Sequence, residues 1–244
     1  MTTAVALGAG AVLVAALLGG ATGFGTGLVC APLLLLIGFP LAEVVAVNLT
    51  VALLTRVAVA YRLREHIDWR RATLLILGSV PGIVLGRAVG HLIDASVLKV
   101  AAGLAAIAFA GYLFARPSGT GTAVSRLGGL VAGVSGGFLA TTISFNGVPP
   151  VLWLSRTGAE PLAFVADLAV YFVVGNLLAV PLLLIDGSVP VSRLGGLLLA
   201  WVPVSLAGNA LGLRLAGRLS RRVFRALTLG LVVVTGAATV ATAW

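Results

Sequence analysis

From Met1 to Ala42 the chain carries no charged side chain, and long uncharged runs also separate Arg126 from Arg156 and Asp167 from Asp186. Runs of this kind constrain the fold more than any motif does. About 20 consecutive apolar residues make a helix long enough to cross the hydrocarbon core of a bilayer. Only elements that satisfy their own backbone hydrogen bonds can sit there. Charged residues make up 9% of the 244 residues and hydrophobic ones 60%, against about 25% charged in ordinary soluble domains. The sequence therefore describes an all-α polytopic membrane protein, with room for roughly eight to ten membrane segments and none for a separate soluble domain. Any function has to be built inside the bilayer.

The formal net charge of +9 would suggest nucleic acid in a soluble chain, but the basic residues lie in the connections between apolar runs rather than on one patch. They report orientation, and no nucleic-acid partner is expected. Cys30 is the only cysteine and His66 and His91 the only histidines, so neither a disulfide nor an enclosed metal site is expected, and no cofactor. Gly133-Val134-Ser135-Gly136 is similar to the serine environment of intramembrane proteases, yet a serine nucleophile needs a base within reach. Both histidines fall in connections, one on each face, so an enzyme is not expected. The absence of Lys and Arg before the first apolar run argues against a cleaved signal peptide.

Apolar runs between charges and Gly/Pro breaks place segments near 4–20, 24–38, 42–60, 72–90, 97–115, 126–142, 147–155, 162–184, 193–212 and 222–243. The first two are split by Gly19, Gly20, Gly23, Gly25 and Gly27; the sixth and seventh contain Gly128, Gly129, Gly133, Gly136, Gly137 and Gly147-Val148-Pro149-Pro150. Each pair reads as a broken or re-entrant hairpin, because irregular backbone at membrane depth is tolerated only under cover of protein or water. Arg62, Arg64, Arg70 and Arg71 cluster in one connection and Arg214, Arg218, Arg221, Arg222 and Arg225 in another. By the positive-inside rule both face the cytoplasm. Arg116, Arg126 and Arg156 join them if each hairpin enters and leaves from one face, which leaves Arg87, Lys99 and Arg193 outside, with both termini external.

The two halves share their punctuation. Arg71, Pro81, Gly86 and Gly90 match Arg193, Pro203, Gly208 and Gly212 at a constant offset of 122, and Pro40-Leu41-Ala42 matches Pro161-Leu162-Ala163 at 121. Gly23 and Gly27 align with Gly133 and Gly137 at 110, which puts an insertion in the second hairpin. The expected architecture is two inverted-topology repeats, 1–117 and 118–244, each a Gly-rich hairpin plus three transmembrane helices. Such repeats allow alternating access to a midplane site, and discontinuous helices there turn N-termini toward an anion.

The pattern resembles the TauE/SafE family of sulfite and organosulfur anion exporters over nearly the whole chain. The residues that carry the likeness are Gly23-Phe24-Gly25-Thr26-Gly27 with Pro32, His66-Ile67-Asp68-Trp69-Arg70, Pro81-Gly82 and Gly86. In the second half they are Gly136-Gly137-Phe138, Gly147-Val148-Pro149-Pro150, Tyr171-Phe172, Asn176, Pro203, Gly208 and Gly212. The resemblance implies a permease of the bacterial inner membrane moving sulfite, an organosulfonate or a carboxylate, commonly outward. Many relatives carry a basic residue in the region after Pro161, where this chain has Asp167, and Phe24 and Thr26 interrupt the first Gly cluster.

The candidate substrate-binding residues are Gly23, Gly25, Gly27, Asn48, Gly136, Gly137, Asn146, Gly147 and Asn176. Asp167, the one acid well inside an apolar segment, is the candidate coupling site for H+ or Na+; the alternative is a carboxylate near a helix N-terminus, snorkelling to the interface. Arg56 and Arg87 read as snorkelling cations, with anion attraction as the alternative. Glu43 is expected at a solvated connection, and Trp69, Trp153, Trp201 and Trp244 at interfaces or in packing. Two other readings of the whole chain stay open, an anion channel and a non-transporting membrane assembly factor. Homo-oligomerisation is left open as well.

Overall fold

The computed structural model describes residues 2–89, 92–115, 125–143, 146–185 and 191–241. Gly90, His91, Arg116, Ser144, Asp186 and Trp244 lie outside the described residues. Within them the chain forms α1 (Thr2–Thr22), α2 (Gly25–Ile37), α3 (Leu41–Arg62), a 3-10 turn at Arg64–His66, α4 (Trp69–Val89), α5 (Ala95–Ala115), α6 (Arg126–Ile143), α7 (Val148–Leu154), α8 (Pro161–Ile185), α9 (Val191–Ala216) and α10 (Arg221–Ala241). Each of the ten apolar segments read from the sequence falls on one α-helix, and no strand occurs among the described residues.

Local chemistry sets the boundaries. Gly23 has φ of 88°, a left-handed conformation open to glycine at little cost, and there α1 gives way to α2. The end of α2 is a Schellman motif: Gly38 has φ of 102° and the Phe39 amide donates to the Leu34 carbonyl at 3.0 Å. Asp68 caps α4, its Oδ1 accepting from the amides of Arg70 (3.0 Å) and Arg71 (3.2 Å). Pro81 and Pro203 lie inside α4 and α9, each the thirteenth residue of its helix, where neighbouring helices can cover the carbonyls that proline frees.

Packing is organised around pairs of helices in close backbone contact. Helix α1 lies along α9 and α4 along α6; α3 crosses α8, α5 pairs with α10, α4 also touches α8 and α3 touches α9. Glycines permit the two closest approaches. A Cβ at Gly82 would collide with the Val134 carbonyl, one at Gly137 with that of Ser79, and one at Gly212 with that of Leu17. Small residues let backbones meet this closely where apolar collapse supplies no drive between helices in lipid.

Helix α2 folds back on α1, so that Cys30 and Leu34 share a core with Ala11, Val12 and Ala15. Trp201 closes this unit: fully buried, it donates from Nε1 to the Val5 carbonyl at 3.0 Å and stacks edge-on against Phe39 at 5.3 Å. Its role is thus packing rather than interfacial anchoring. Helix α7 likewise returns on α6, where a Cβ on Gly128 would stand 3.1 Å from the Trp153 ring.

The outer face is apolar, with Leu199 82% and Leu127 72% exposed, as lipid requires and water does not. Five described helices, α1, α3, α4, α8 and α9, are long and apolar enough to cross a membrane. With 13 and 7 residues, α2 and α7 reach only about 20 and 10 Å at 1.5 Å per residue, short of a core about 30 Å thick.

Candidate functional site

The tips of the two folded-back pairs meet. A Cβ on Gly147 would stand 3.3 Å from the Phe24 Cβ and 3.3 Å from the Phe172 ring, so the break between α1 and α2 abuts the break between α6 and α7, with α8 beside both. Around this contact lies a small cavity lined by Phe24, Thr26, Gly27, Asn48, Leu49, Ala52, Arg56, Asn146 and Phe172. It has room for about one or two water molecules. Residues from both halves of the chain build it.

Helix α3 supplies one wall through Asn48, Ala52 and Arg56, spaced i, i+4, i+8 on one face. The Asn48 amide donates to the Gly27 carbonyl at 3.1 Å, tying α3 to the first turn of α2. On the opposite side the Asn146 amide donates to Asn176 Oδ1 at 3.3 Å, and the Asn146 carbonyl accepts from the Tyr171 hydroxyl at 3.2 Å. Asn176 is fully buried behind Asn146, and its own Nδ2 has no hydrogen-bond partner among the described residues.

Arg56 corrects the sequence reading. It does not snorkel: it is 1% exposed, because α3 runs on to Arg62 and places Arg56 well inside the helix, walled by the α1–α2 break and by Phe172. Its Nη2 donates to the Gly19 carbonyl at 3.2 Å and to Thr26 Oγ1 at 3.3 Å. The guanidinium lies 5.7 Å from the centre of the Phe172 ring, within cation–π range, and Nη1 has no hydrogen-bond partner among the described residues. Arg56 is the sixteenth residue of α3, and Asn176 is the sixteenth of α8.

The other candidates divide into those at the cavity and those away from it. Gly23 makes the turn against Val165 and Leu168 of α8, Gly25 opens α2, and Gly27 and Asn146 line the cavity with Asn48. Gly136 backs the second break, its absent Cβ giving room to the Tyr171 hydroxyl, the Asn146 carbonyl and Pro150. Gly137, with Gly133, lies instead at the α4–α6 crossing. The repeat alignment had set these two against Gly23 and Gly27, but the second break comes about ten residues later, beside Gly147, so the two glycine clusters serve different contacts.

Asp167 lies fully buried at a different place. Its Oδ2 accepts from Arg71 Nε at 2.6 Å and its Oδ1 from the Asp68 amide at 2.8 Å, so α8 is tied to the start of α4 rather than to the cavity. Glu43 also departs from expectation: it is 7% exposed and pairs with Arg193 Nε at 3.0 Å, tying α3 to the start of α9. The sequence treated it as a solvated connection because it lies two residues into α3; packing of the α9 start covers it.

No curated protein and no solved structure matches the chain. A family model does, over residues 8–239, described as sulfite exporter TauE/SafE. The match takes in α2 to α9 whole, most of α1 and α10, both breaks and the cavity between them. The chain belongs to the TauE/SafE sulfite exporter family.

Proposed function

We propose that this protein is a secondary transporter that exports a small anion, sulfite or an organosulfonate or carboxylate, across the bacterial inner membrane by alternating access. The observation that carries this reading is the meeting of two helix breaks, one from each half of the chain, around a small cavity. Interruptions of this kind are costly in lipid and are used where a cavity needs backbone groups.

The proposed mechanism uses two inverted repeats, 1–117 and 118–244. Taking α1–α5 as counterparts of α6–α10, the pairing of α1 with α9 is answered by that of α6 with α4, and the contact of α4 with α8 by that of α9 with α3. The matched prolines of α4 and α9 support the same correspondence. So do the two ion pairs, each joining the start of one of these helices to the third helix of the other repeat. Exchange between two such packings would expose the cavity to one face and then the other. The hairpins are read as re-entrant, entering and leaving by one face, since Trp201 contacts both Val5 and Phe39.

Asp167 is proposed as the coupling site through its partner. A proton or Na+ on the carboxylate would cancel its attraction for Arg71 and release the start of α4, linking ion binding to the packing change rather than to direct contact with cargo. The test of the whole reading is uptake of labelled sulfite, small sulfonates and small carboxylates into liposomes holding the purified protein, with and without an imposed pH gradient. Saturable uptake with counterflow is expected. Non-saturating flux without counterflow would mean a channel, and no flux from folded protein would overturn transport of these anions.

A further inference from the structure

Arg56 is expensive where it stands. A guanidinium taken fully out of water loses several kcal/mol of solvation unless it is paired and hydrogen-bonded, and here the charge has no acidic partner among the described residues. Its Nη2 donates to the Gly19 carbonyl and the Thr26 hydroxyl; Nη1 is buried without a hydrogen-bond partner among the described residues, on a side chain that lines the cavity. A residue needed only to cap the end of α1 would do so with the first group alone. The amides nearby each donate a hydrogen bond, Asn48 to Gly27 and Asn146 to Asn176. Of the cavity-lining side chains, Arg56 is the one that carries a full charge. Beside it, Thr26 and Gly27 of the first turn of α2, a 13-residue helix, line the same cavity, and the first-turn amides of a helix have no intrahelical acceptor.

We propose that Arg56 is the anion-binding and charge-selecting residue of this cavity: when the two breaks repack and widen it beyond its present room for about one or two waters, Nη1 donates to an oxygen of a small oxyanion whose other oxygens meet the first turn of α2. The assignment rests on the transport reading above and adds to it a single residue that reads cargo charge. Two requirements follow. A neutral molecule of the same shape leaves the guanidinium buried without compensation, so it is rejected. The guanidinium geometry, fixed by Gly19 and Thr26, lets one fork hold the break while the other holds the cargo, a division of labour that an ammonium reproduces poorly.

The experiment is ligand binding to the purified full-length protein in detergent, followed by thermal stabilisation and by isothermal titration. The probes are methanesulfonate, acetate and sulfite, with dimethyl sulfone as the neutral isostere of methanesulfonate. Wild-type protein is expected to bind at least one of the anions saturably and the sulfone not at all. Arg56→Gln is expected to weaken that binding roughly 10- to 100-fold, the scale of one lost charge-assisted hydrogen bond. Arg56→Lys, which keeps the charge and guards against a folding defect in the Gln variant, is expected to fall between the two. Equal binding of the sulfone, or anion affinity unchanged in Arg56→Gln, would overturn the role of Arg56 while leaving transport standing. Failure of wild-type protein to bind any of the three anions would overturn the transport reading and this assignment together.

Discussion

A methyl group added at Gly82 would run into the Val134 carbonyl, whereas at Gly10 it would meet nothing within 4 Å. Sequence alone gives both positions the same residue in the same kind of apolar run, and only the neighbouring backbone tells them apart. Gly82→Ala is therefore expected to lower thermal stability, at the roughly 1–3 kcal/mol typical of overpacking, and Gly10→Ala to leave it unchanged or slightly raised; melting curves in detergent compare them directly. Equal melting temperatures would mean that α4 and α6 are not in contact at that level. Arg56 was read from the sequence as a snorkelling cation near a helix end, because its burial depends on the α1–α2 break and Phe172, which lie about 30 residues before it and 116 after it in the chain. Asn48, Gly27, Asn146 and Gly147 were readable because polar or glycine positions within apolar runs stand out against their surroundings. The contact between Phe24 and Gly147, by contrast, has no local signature.

Two ion pairs fasten helices to each other, and they differ in their surroundings. Arg71 is 12% and Asp167 0% exposed at the side chain, whereas Arg193 is 58% and Glu43 9% exposed. Removing one partner of a buried pair strands a charge and costs about 3–5 kcal/mol, while a pair open to water contributes about 0–1 kcal/mol and is screened by salt. Arg71→Ala is thus expected to destabilise the fold clearly more than Arg193→Ala, and the effect of Arg193→Ala is expected to shrink as salt is raised. A thermal-unfolding series over ionic strength reads both. At the same scale, Asp167→Asn should abolish gradient-driven uptake and spare counterflow if the carboxylate couples transport to an ion; undiminished driven uptake would remove Asp167 from the mechanism. The helices themselves were plain in the sequence, all ten of them, since length and hydropathy decide whether a segment can live in lipid. Which helix lies against which was not, because lipid-facing and protein-facing apolar surfaces share one composition.

For the molecule as a whole, the arginine distribution predicts an orientation that can be measured. With Cys30, the only native cysteine, replaced by serine, a single cysteine at Thr3 is expected to react with a membrane-impermeant maleimide in intact cells. One at His66, in the 3-10 turn that follows α3, is expected to react only after permeabilisation. The opposite pattern would invert the topology. Beyond orientation, under the two-repeat reading proposed above, the presence of Arg56 and Asn176 as sixteenth residues of α3 and α8 reaches further than the cavity. A membrane protein assembled from two identical subunits must duplicate whatever lies near its axis, so a central guanidinium would arrive as two like charges in a space too small to keep them apart, and a central amide would bring no charge at all. Joining the two halves in one polypeptide lifts that restriction. On the same two-repeat reading, it allows an odd number of charges where the repeats meet, which no homodimer of either half can have.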